Sequence, residues 1–107
     1  MHFAGLLRFV LAMLAACAFA GAALAAEDEA RTLAARAKAL VEAKDPGGAF
    51  RVLEPHEERL GGDVEFDYWL GVAAFESNRL DRAVIAFERV LVRDPLFDSA
   101  QIGRAHV

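Results

Sequence analysis

DYWLGVAAFESNRLDRAVIAFERVLVRDP, residues 67–95, decides the fold, because its apolar residues recur at spacings of three and four while its turn residues fall between them. The spacing predicts one helix over residues 64–77, with Phe66, Leu70, Ala73 and Ala74 on one side. Asn78-Arg79 turns the chain, and a second helix over residues 80–93 is expected to place Ala83, Ala86, Phe87, Val90 and Leu91 inward. Asp94-Pro95 then stops it, since proline lacks the N–H that a helix interior needs. A shift of 34 residues lays earlier sequence on this stretch: Ala37 on Gly71, Leu40 on Ala74, Ala49 on Ala83, Leu53 on Phe87. Small falls on small and large on large. Paired helices approach closely only where side chains are small, and a bulky hydrophobe fills the space beside the crossing.

Working outward, the earlier unit reads as a degenerate hairpin. Glu27-Asp28-Glu29 places negative charge where a helix amino terminus favours it, and Leu33, Ala37, Leu40 and Val41 form one face. Asp45 is the expected N-cap of the next helix, with Pro46 in its first turn. That helix carries Phe50, Leu53 and Leu60 and ends at Gly61-Gly62, while Pro55 inside it should remove a hydrogen bond and bend the axis. The expected fold class is all-α: antiparallel helix-turn-helix repeats, a fragment of an α-solenoid, preceded by a signal-peptide helix. Two units leave Ala83, Phe87 and Val90 only partly covered, which predicts marginal stability in isolation.

Leu70, Gly71, Ala83, Phe87 and Pro95 stand at the spacings of the tetratricopeptide signature, so residues 64–97 resemble one such repeat and residues 26–63 a degenerate one. Asp67 stands where that signature has Trp, and Ala74 where it has Tyr, with Tyr68, Trp69 and Phe75 beside those places to supply bulk. In the first unit His56 occupies a usually small position and Gly61 replaces the closing proline. The resemblance implies a concave groove lined by the first helix of each unit. Carried over, its ligand-facing places are Arg31, Ala34, Lys38, Val41 and Glu42, then Glu65, Tyr68, Val72, Phe75 and Glu76. Three aromatics on one short helix exceed what its core face needs. The phrases around Trp69 and Phe87 are also similar to the periplasmic repeats preceding the β-barrel of surface lipoprotein assembly modifiers, which implies an alternative role as the lead-in of an outer-membrane protein.

Residues 1–25 have the layout of a secretory signal: Arg8, an apolar run, and small residues ending Ala23-Leu24-Ala25, with cleavage expected after Ala25. A retained membrane anchor and a lipobox, Leu14-Ala15-Ala16-Cys17, are the rival readings, the latter making Cys17 a lipidation site and the chain an outer-membrane-anchored lipoprotein. Hydrophobic residues make up 56% of the chain, but they crowd into this leader, and every acidic residue lies beyond it. With Arg8 in the leader, the formal charge of −4 for the chain becomes −5 for the part beyond it, 11 basic against 16 acidic residues, which excludes nucleic acid as a partner and leaves the leader, or a lipid on Cys17, as the only membrane contact.

No nucleophile elbow, phosphate loop or paired metal ligands are present in the sequence; His56-Glu57-Glu58 reads as a solvated helix face, and Arg31, Arg36, Lys38, Glu42, Glu76, Arg79 and Arg82 as surface charges with helical-spacing partners. The expectation is a non-enzymatic periplasmic scaffold for a protein or peptide, with no cofactor and no metal. Residues 98–107 either begin a third repeat or, for residues 102–107, translate a short-read sequencing adapter. The adapter reading is preferred, because Arg104 would fall on a core position; the natural protein is then expected to continue, and Arg104 and His106 carry no role.

Overall fold

The computed structural model describes the backbone of residues 3–97 and the side chains of residues 21–97; the Cys17 side chain and everything expected of residues 98–107 lie outside the described residues. Helix α1 spans Phe3–Glu42 and runs through Ala25 without a break. It is followed by α2 (Pro46–Leu53), a single 3-10 turn (Glu54–His56), α3 (Glu57–Leu60), α4 (Val64–Glu76) and α5 (Leu80–Arg93). The described residues are all-helical. Pro55 sits inside the 3-10 turn, where its missing N–H and ring bulk break the α-helical ladder and re-aim the chain into α3.

Local chemistry sets the ends of these helices. Asp45 caps α2 by accepting the Gly48 N–H at 2.9 Å, and Asp63 caps α4 by accepting the Phe66 N–H at 2.9 Å. The two hairpin turns are built alike. Lys44 (φ 66°) and Asn78 (φ 65°) both take the left-handed conformation. Around them the backbone bonds recur at the same 34-residue step. Asp45 N–H donates to Leu40 C=O at 2.8 Å and Arg79 N–H to Ala74 C=O at 2.7 Å; Lys44 donates to Val41 at 3.0 Å and Asn78 to Phe75 at 3.1 Å. These paired bonds satisfy carbonyls that a helix end otherwise leaves open.

α4 packs against α1, α2 and α5, whereas α5 leans chiefly on α4. Their shared core includes Ala37, Ala49, Leu53, Phe66, Leu70 and Ala83. Gly71 marks the close approach of the second hairpin: a Cβ there would lie 2.6 Å from Cε1 of Phe87. Two sequence expectations need correction. Ala83 (2% exposed) and Val90 (0%) are already buried with two hairpins present, and only Phe87 is left half-buried. Leu91 is 44% exposed rather than inward, because it belongs with Leu80 and Val84 to the side of α5 facing away from α4.

Candidate functional site

The places implied to face a ligand come from α1 and α4, which pack side by side. Arg31, Lys38, Glu42, Glu65, Phe75 and Glu76 are exposed, and Val41 and Tyr68 are half-buried. Ala34 is fully covered and Val72 only 8% exposed, so these two form floor rather than contact surface. Tyr68 is the centre of an aromatic group. Its ring lies 5.0 Å from that of Trp69, 5.4 Å from that of Phe97 and 6.3 Å from that of Phe87. Partial burial, and then the nearby Glu76 charge, push the Tyr68 phenol above its ordinary pKa. The Lys38 ammonium of α1 stands 5.9 Å from the centroid of the Trp69 ring of α4. A cleft of about 360 Å³ opens between Val64, Glu65, Tyr68, Trp69 and Phe97.

Opposite the tidy apolar crossing lies a charge network that the one-dimensional reading missed. Asp67 is fully buried; its Oδ1 accepts from Arg89 at 3.0 Å and its Oδ2 from the Gly62 N–H at 2.7 Å. Arg89 also donates to Glu57 Oε2 at 2.7 Å, and Arg82 donates to Glu57 Oε1 at 2.6 Å. Thus the Asp67 side chain, 0% exposed, sits in an ion pair with Arg89. Burial opposes charge on both Glu57 and Arg89, yet their mutual hydrogen bonds and those from Arg82 and to Asp67 prevail, holding the carboxyl below and the guanidinium above their ordinary values.

His56-Glu57-Glu58 is therefore not a simple solvated face. Glu57 bridges the hairpins, because the break at Pro55 turns α3 towards α5. Arg59 forms a two-pronged pair with Glu29 at 2.6 and 2.7 Å, with His56 Nδ1 3.0 Å from the same guanidinium. The hydrogen bond from Arg59, stronger than the opposing desolvation, lowers the Glu29 pKa. Among the arginines read as surface charges, Arg31 has its helical-spacing partner, Asp28, at 3.6 Å. Arg79 and Arg82 instead lie over the Phe50 ring at 4.4 and 5.4 Å, across the hairpin boundary. The signal that could have exposed the network was an aspartate between Phe66 and Tyr68 in α4, 22 residues from a matching arginine.

Among the described residues no helix is long and apolar enough to cross a membrane, and no group of three or more His, Cys, Asp or Glu could hold a metal ion. Set against protein-family models, curated proteins and solved structures, the chain finds no match in any of the three.

Proposed function

We propose that the chain is an exported scaffold of tetratricopeptide type that presents the α1–α4 face to a protein or peptide in the periplasm. The reading rests above all on the two hairpin turns: left-handed residues and paired backbone bonds recur at the period of the repeat. It is supported by Gly71 at the place of closest approach to Phe87 and by Ala83 buried in the same hairpin. Export is the consequence of the leader sequence, which directs the helical part out of the cytoplasm.

The test has two parts. Expressed in a Gram-negative host, the periplasmic product should have the mass of a chain beginning at Ala26; a cytoplasmic, uncleaved product contradicts export. With the partner captured by the wild type identified, Phe75→Ala should weaken its binding about tenfold, the loss of one buried aromatic anchor, with helicity by circular dichroism unchanged. Undiminished binding contradicts the groove.

A further inference from the structure

We propose that the cleft between Tyr68, Trp69 and Phe97, edged by Glu65, takes the guanidinium of an arginine side chain presented by an extended segment of a partner protein. This rests on the scaffold reading and adds the chemistry of what is bound.

The three rings meet edge to face, at 80° between Tyr68 and Trp69 and 61° between Tyr68 and Phe97. In each such pair the edge of one ring meets a face of the other, and the faces left over line an opening of about 360 Å³. An aromatic face attracts a cation within roughly 6 Å of its centroid. The chain uses this attraction three times within itself: Lys38 on Trp69, and Arg79 and Arg82 on Phe50.

Among the residues lining the cleft the one charged group is an acid, Glu65. Glu65 is exposed at its edge and forms no salt bridge among the described residues. Glu76 bears on Tyr68 from the other end of α4, making the Tyr68 end of the cleft favourable to positive charge. Lys38 stands 5.9 Å from the Trp69 centroid, and Arg31 and Arg93 line the neighbouring depression, which shares Val64 and Glu65. A guanidinium suits the mixture of walls better than a quaternary ammonium does, because its plane stacks on a ring while its N–H groups reach a carboxylate. The cleft also lies on the helix that supplies Glu65 and Tyr68 to the groove, so an extended chain in the groove can deliver the side chain.

Trp69 is the only tryptophan in the sequence, so its fluorescence reports on the cleft alone. The full chain is titrated with a blocked pentapeptide, alanine throughout except for a central arginine, and with the same peptide carrying citrulline, the neutral isostere. The arginine peptide should give a saturable change with a dissociation constant on the order of millimolar, and citrulline should bind at least about fivefold more weakly. Glu65→Gln, an exposed change, should weaken the arginine peptide about two- to fivefold and leave citrulline unaffected; Tyr68→Leu should remove the preference, with helicity checked for both. Equal binding of the two peptides, or no saturable change with arginine, overturns the proposal. Either result leaves the scaffold reading standing, since that depends on Phe75, which lies outside the cleft, and on export.

Discussion

In the second hairpin Gly71 leaves room for the Phe87 ring against the backbone of α4, whereas 34 positions earlier the corresponding residues are Ala37 and Leu53, both fully buried. One methyl more on the first helix goes with a smaller side chain on the second. The hairpins differ more in how they are locked. α5 is a single uninterrupted helix, while its counterpart is broken at Pro55 into α2 and α3. That break sends Glu57 to Arg82 and Arg89, and Arg59 back to Glu29. A regular apolar crossing thus closes each unit, and an irregularity in the first unit supplies the charges that join it to the second.

The comparison can be broken most severely at the joint. Arg89→Met should cost about 3 kcal/mol, because it leaves the Asp67 carboxylate buried without its cation; the Gly62 N–H remains and the 31% exposure of Arg89 keeps the loss at the low end for a buried pair. Chemical denaturation measures it, and a loss under about 1 kcal/mol would make the pair no more than a surface contact.

Acid should loosen the same joint. The Glu57 carboxyl is held below its ordinary value, so its contribution is complete above the unfolded pKa and is lost as pH falls through the folded one. Thermal midpoints should therefore drop from about pH 5 downward, and Glu57→Gln should drop less over the same interval. Glu29, lowered by Arg59, titrates in the same sense and explains the part that Glu57→Gln retains.

The smallest expected change is a gain. Lys44 holds a left-handed conformation that its Cβ resists, while its counterpart Asn78 tolerates it. Lys44→Gly should stabilise by up to about 1 kcal/mol, partly offset by the freedom glycine has when unfolded, and the same change at Asn78 should do less. Equal gains at both positions would mean that asparagine is as strained there as lysine, which contradicts this prediction.

Much of the fold was legible in one dimension. The bounds of α4 and α5 follow from periodicity and turn residues, and the Asp45-Pro46 start and the Pro55 break follow from backbone chemistry that acts within a few residues. What the sequence hid was non-local. Glu57 and Arg89 are 32 residues apart, and a charged residue on a helix reads as solvent-facing until a partner from another helix is placed against it. Leu91 was misassigned for a similar reason: its spacing fits the apolar face of α5, but α4 covers only part of that face. At the candidate site, the excess of aromatics on α4 was visible, and the completion of the cleft by Phe97, beyond the end of α5, was not.

The central claim is that each hairpin closes by matching a small residue on one helix to a large one on the other, and a double-mutant cycle on Gly71 and Phe87 tests it directly. Gly71→Ala alone should cost about 1–3 kcal/mol, since the new methyl must displace the Phe87 ring. In a Phe87→Leu background, which reproduces the Ala37 and Leu53 combination, the same change should cost less than about 0.5 kcal/mol, a coupling of at least about 0.5 kcal/mol. Additive losses, with Gly71→Ala equally harmful in both backgrounds, would contradict the account.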